Sequence, residues 1–248
     1  MADILPQKKQ KIKLIIMKKI FLGLTLVGSF LMNAQEKEKS PTQPSSVKFG
    51  IKAGFNGSTF SRGERNEVDN NEKIKAGSHI GIFANIPVAE KFSIQPELLF
   101  SQLGSKTEDL FIHDSGDYFT KQEYEYKTNL NYLTLPIMVQ YNILPQLYVE
   151  AGPEFGLLLG GKIEGDGRNE IRYDNTTTVN SENFSNKISM KLYNKFNFGI
   201  GIGAGYYFTQ NFGVTARFTA GITGIFKNDY GSKVKNNALQ LGVAYRFK

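Results

Sequence analysis

A chain of 248 residues has room for one β-barrel or for one to two ordinary globular domains. It contains no cysteine, which excludes both a disulfide framework and a thiolate metal site. The formal charge of +7 comes largely from the first 34 residues, which hold six lysines and one aspartate; the remainder carries 24 basic and 22 acidic residues, with no basic stripe or stacking motif to mark a nucleic-acid partner.

In chain order, the first feature is a targeting segment. From Met17 the sequence reads MKKIFLGLTLVGSFLMNAQ: two lysines, an apolar run from Ile20 to Met32, then a small residue at Ala34. That order is the n-region, h-region and cleavage site of a secretory signal, and the apolar run is shorter than the roughly 20 residues of a spanning helix. Residues 1–34 are therefore expected to be an N-terminal extension plus signal peptide, with the start at Met17. Residues 35–46 (QEKEKSPTQPSS) are polar with two prolines and read as a disordered periplasmic lead-in. Residues 47–248 form the third segment, a barrel.

From Val47 onward the hydrophobic period is two, the signature of strands. Eight such stretches follow: Val47–Phe55, Ser78–Pro87, Phe92–Phe100, Tyr132–Tyr141, Leu147–Leu157, Lys195–Phe208, Phe212–Ile222 and Ala238–Phe247. Each is long enough to cross a bilayer when tilted. Their connections alternate. Short links follow the second, fourth and sixth stretches, and long polar segments follow the first (about 61–75), third (about 104–129), fifth (about 161–194) and seventh (about 223–236). One apolar face and one nearly bare face recur throughout, and the ions Lys48, Lys52, Glu97, Glu150, Glu154, Arg217 and Arg246 all fall on the second. A soluble barrel would carry its charges outward. The inverse assignment, apolar residues to lipid and sparse polar residues to the lumen, gives an all-β fold: an eight-stranded antiparallel up-and-down transmembrane β-barrel with short periplasmic turns and long extracellular loops.

In such a ring the third strand faces the seventh and the first faces the fifth. Glu97 and Arg217 each lie five residues past the start of their strand, at matching depth, and Lys52 and Glu150 are placed comparably. Eight strands enclose a space about wide enough for side chains to fill, so cross-lumen ion pairs plugging the barrel are expected from these seven charged residues. Gly199-Ile-Gly201-Ile-Gly-Ala204 satisfies a permissive phosphate-loop pattern, but a turn and another strand follow where a nucleotide fold needs a helix and an acid. These glycines read as lumen residues, leaving room for the long arginine and glutamates. No cofactor is expected. Ser78 adjoins His79 but points to the opposite face, so no Ser-His-acid constellation forms. With His113 distant in the second long segment, no metal site is expected either. The chain does not read as an enzyme.

The segments IQPELLFSQLG, LNYLTLPIMVQY, YVEAGPEFGLLL and LQLGVAYRF resemble the PorT-like outer-membrane β-barrel family of Gram-negative bacteria, over roughly Val47 to Phe247. The resemblance implies an outer-membrane address and contact with its lipid and lipopolysaccharide. It also implies recognition of the terminal aromatic Phe247 by the barrel-assembly machinery. Thr134 and Gln140 stand where that family often has an acid and a lysine. The expected function is a non-enzymatic barrel presenting extracellular loops for surface structure or for an extracellular or secretion-complex partner. A narrow porin-like channel for ions or small solutes is the alternative.

Overall fold

Ten strands form one antiparallel sheet in a computed structural model that describes residues 46–62, 72–116, 118–174, 176–228 and 233–247. The chain divides into two units, residues 1–43 and 44–248; every described residue belongs to the second. The expected extension and signal peptide (1–34), and all of the lead-in except Ser46, lie outside the described residues.

Eight of the ten strands close a ring: β1 (Lys48–Arg62), β3 (Lys75–Pro87), β4 (Phe92–Asp114), β5 (Tyr118–Asn142), β6 (Leu147–Tyr173), β8 (Phe196–Tyr207), β9 (Phe212–Gly221) and β10 (Val234–Arg246). Each pairs antiparallel with its successor, and β10 returns to β1 in the register Gly50↔Arg246 to Arg62↔Val234. The fold is the expected closed up-and-down barrel. Closure satisfies the strand edges within the ring, which hydrocarbon demands. The turns after β3, β5 and β8 are the short ones, held by bonds such as Val88 N to Phe92 O at 2.9 Å and Ile143 N to Leu147 O at 2.9 Å.

Side-chain alternation sorts the two faces. Phe55 and Phe196 are 77% and 76% exposed on the outer surface, whereas Lys52, Glu97, Glu150 and Arg217 are only 1–3% exposed within. On β4 the outward apolar run, Phe92 to Phe100, rises about 27 Å along the strand. Tilt reduces this to roughly the 25 Å apolar band of such barrels. Aromatic pairs mark the periplasmic rim of the band: Phe92 with Tyr141 at 5.1 Å and Tyr206 with Phe208 at 5.2 Å. Phe155 and Phe198, 5.3 Å apart, mark the other rim. Such girdles suit rings that sit at the boundary of lipid and water.

The second and third long segments correct the loop expectation. Residues 104–114 and 118–129 are strand and not loop: β4 and β5 stay paired up to Asp114↔Phe119. Residues 161–173 continue β6, and β7 (Thr176–Lys187) runs back along it, paired from Tyr173↔Thr176 to Lys162↔Lys187. With the two-residue β2 (Glu72–Lys73) on β4, the barrel wall extends as a sheet of β4, β5, β6 and β7 beyond the apolar band. From Ser105 to Asp114 it rises about 30 Å along the strand. Sequence periodicity missed this because both faces of the extension meet solvent, so no apolar alternation survives; β7 (TTTVNSENFSNK) is exposed almost throughout.

Candidate functional site

The chemistry of the molecule is concentrated in the lumen. Arg217 enters from β9 and meets two carboxylates. Its Nη1 and Nη2 donate to Glu97 Oε2 and Oε1 at 2.9 and 2.7 Å, and its Nε donates to Glu150 Oε1 at 2.7 Å. Lys52 Nζ donates to Glu97 Oε1 at 3.0 Å. Amide side chains complete the set. Gln95 Nε2 donates to Glu97 Oε1 at 2.8 Å and Gln140 Nε2 to Glu150 Oε2 at 3.0 Å. Asn85 Nδ2 donates to Gln140 Oε1 at 2.8 Å and to Gln95 Oε1 at 3.2 Å. The result is a closed circuit of hydrogen bonds spanning the barrel from β1, β3, β4, β5, β6 and β9.

Each side chain arrives by the strand period, which turns alternate residues inward. The space for Arg217 comes from β8, whose inward positions from Gly199 to Gly205 are glycines. A Cβ on Gly201 would stand 2.8 Å from Met138 Cε, and one on Gly203 would stand 3.1 Å from Glu150 Oε1. Gly205 gives its place to the Tyr148 ring, whose hydroxyl a Cβ would approach to 2.3 Å.

The seven charged lumen residues separate into three groups. Lys52, Glu97, Glu150 and Arg217 meet in the circuit. Lys52 pairs with Glu97, which it shares with Arg217, and not with Glu150 across the ring. Glu154 lies one layer above the circuit, where it accepts a hydrogen bond from Thr219 Oγ1 at 3.3 Å. Arg246 and Lys48 line a concave vestibule at the periplasmic end, with the Arg246 guanidinium 3.6 Å above the Tyr207 ring. Neither of these two belongs to the cross-lumen circuit expected of them. Asn85, Gln95 and Gln140 are the members that charge alone did not disclose; their only signal was an inward position at the same depth.

Above Glu154 an apolar cluster fills much of the lumen. Phe60, Leu103, Leu130, Tyr132, Leu158, Ile188, Tyr193, Ile225, Val234 and Ala238 pack together there. Ile188, Tyr193 and Ile225 come from the connections after β7 and β9 and turn back over the mouth. Asn194 fastens these two connections, its Nδ2 donating to Gly224 O at 2.8 Å and Phe226 O at 2.7 Å.

His79 Nδ1 lies 2.7 Å from Asn56 Oδ1, while Ser78 Oγ donates to Gln102 Oε1 on the other side of the sheet. The two neighbours thus face opposite ways. Among the described residues, no cluster of three or more His, Asp or Glu side chains could hold a metal ion.

Charges inside, apolar residues outside and a closed antiparallel ring define a transmembrane β-barrel. The chain belongs to the family described as outer membrane protein beta-barrel domain, whose model matches residues 33–227. The protein is therefore a barrel of the bacterial outer membrane, in contact with that membrane's lipid. It is also similar to three solved barrels. Ail, the attachment invasion locus protein of Yersinia pestis, is 14% identical, with 81% of this chain and 98% of that one covered and a TM-score of 0.39. Neisserial surface protein A is 12% identical, with 82% and 100% covered and a TM-score of 0.39. OprG of Pseudomonas aeruginosa is 13% identical, with 82% and 96% covered and a TM-score of 0.36. At that level of similarity they add nothing to the family assignment. No curated protein matches the chain.

Proposed function

We propose that this protein is a non-conducting, non-enzymatic barrel of the PorT-like kind that carries a binding sheet outside the cell. One observation carries the reading: Arg217 bridges Glu97 and Glu150 with all three side chains almost fully buried. A water-filled channel would keep such charges solvated and apart. The circuit instead fills the cross-section, and the apolar cluster covers it from above.

The surface offered to partners is the extension of β4, β5, β6 and β7. Its flank is charged, with Lys106 held between Glu108 at 2.9 Å and Glu125 at 2.8 Å. Its tip is apolar: Leu110, Phe111 and Ile112 are more than half exposed, and Tyr118 and Tyr173 pair beside them. An apolar patch held clear of the membrane marks a surface for protein contact. An extracellular or secretion-complex protein is the partner proposed, with the barrel-assembly machinery engaged only at insertion.

The test is planar-bilayer conductance of the refolded protein beside a Glu97→Ala, Arg217→Ala double variant. A silent parent and a leaking variant are expected. Steady openings in the parent would overturn the plug and make the narrow porin-like channel the function.

A further inference from the structure

Between the circuit and the apolar cluster lies a small chamber of about 20 Å³. A body of water size needs some 10–15 Å³ measured this way, so the chamber has room for one occupant. Its polar lining includes Glu154, Thr134, Thr219, Asn197 and Asn236. Asn236 is 6% exposed, and neither its amide oxygen nor its amide nitrogen has a protein partner. A buried side chain with both ends unmet points to something bound.

The charges say what kind of body it is. Lys52 and Arg217 balance Glu97 and Glu150. Glu154 is a third buried carboxylate in the lumen, with no cation at ion-pair distance among the described residues. Lys75, the other buried lysine, turns to the carbonyl of Ala76 at 3.2 Å. His79 does not supply the charge. The Asn56 amide nitrogen donates to Ser78 O and Gln102 O, which turns its oxygen toward His79 Nδ1. Nδ1 therefore carries a proton, and Nε2 has no acceptor for a second. A water molecule would serve Asn236 but leave Glu154 to be neutralised by a proton, whereas a cation would serve the carboxylate and the Asn236 oxygen together.

We propose that the chamber binds one alkali-metal cation, held by the Glu154 carboxylate and by neutral oxygens of Asn236, Thr219 and Thr134. Oxygen donors with a single negative charge suit a hard, singly charged ion. The site is independent of what the projecting sheet binds.

The first experiment refolds the protein into detergent micelles and follows thermal unfolding in sodium chloride, potassium chloride and choline chloride at matched ionic strength. The midpoint should rise and saturate with sodium or potassium but not with choline, and Glu154→Gln should abolish that dependence. Identical midpoints in all three salts would overturn the proposal, the result expected if Glu154 simply holds a proton. Unchanged salt dependence in Glu154→Gln would also overturn it. The second experiment needs no variant: crystals of the parent protein refolded in thallium(I) should show an anomalous peak beside Glu154, and its absence overturns the site. A leaking parent in the bilayer assay would leave both readouts intact, so the two proposals fail separately.

Discussion

β4, β5 and β6 each pass through two environments, and the same three strands obey opposite rules in each. Within the membrane their outward residues are apolar and their inward ones polar, as at Leu98 and Glu97. In the extension, ion pairs stand on the surface: Lys106, Glu108 and Glu125 are each about a quarter to a half exposed. Exposed pairs of this kind contribute about 0–1 kcal/mol. In the lumen, partners held out of water depend on each other, because removing one strands the rest. The lesson is that solvent, and not strand geometry, decides what a charge contributes here.

The largest effect should come from Arg217→Ala. It leaves Glu97 with Lys52 alone and Glu150 without a cation, and should cost about 3–5 kcal/mol, read from urea unfolding in micelles. Loss below 1 kcal/mol would mean that water reaches the circuit, and the contrast with the extension would collapse. Next is Ile202→Arg, on the lipid face near mid-strand of β8. It should cost about 2–4 kcal/mol in bilayers and much less in the looser setting of a micelle. The pair Leu110→Ser and Ile112→Ser, at the tip, should each stay within about 0.5 kcal/mol of the parent while weakening partner capture. A large stability loss there would show that the tip is core and not a contact surface.

The smallest effect is acid sensitivity of the extension. Hydrogen bonds from Lys73 and then Lys106 hold the Glu108 carboxyl below its ordinary range. A depressed folded value means that its contribution is present above the unfolded carboxylate pKa of about 4.3. It fades as pH falls through the folded value. Hydrogen exchange at pH 7 and at pH 3 should show β4 residues 106–114 opening more readily in acid, and Glu108→Gln should remove the difference.

The ring was legible because lipid imposes a strict period of two on every strand that touches it. Val47 to Phe55 and Leu239 to Phe247 carry that period openly. The depth of Glu97 and Arg217 could also be counted from strand starts, since short turns fix where strands begin. What was hidden has different causes. Asn85, Gln95 and Gln140 are uncharged, and their geometry became a circuit only once register was known. Ile188, Tyr193 and Ile225 are single apolar residues in irregular segments, where no period exists to betray burial. β7 has two wet faces, so its strand character lies in backbone pairing to β6 and not in its side chains. Glu154 was visible as a lumen acid, but that no cation among the described residues stands beside it required knowing where the other lumen charges had gone.

The seam between β1 and β10 joins residues nearly 200 positions apart, as at Gly50↔Arg246, and Phe247 N donates to Phe49 O at 2.8 Å. No local contact can stand in for that join. Pairings so distant in sequence are slow to form, since the intervening chain must be gathered first. The first strand therefore waits, one edge unserved, until the last has been delivered. A chain stopped short of Val234 would keep seven of the eight ring strands and two raw edges, so the fifteen positions from Val234 to Lys248 decide whether anything upstream can stay in the membrane.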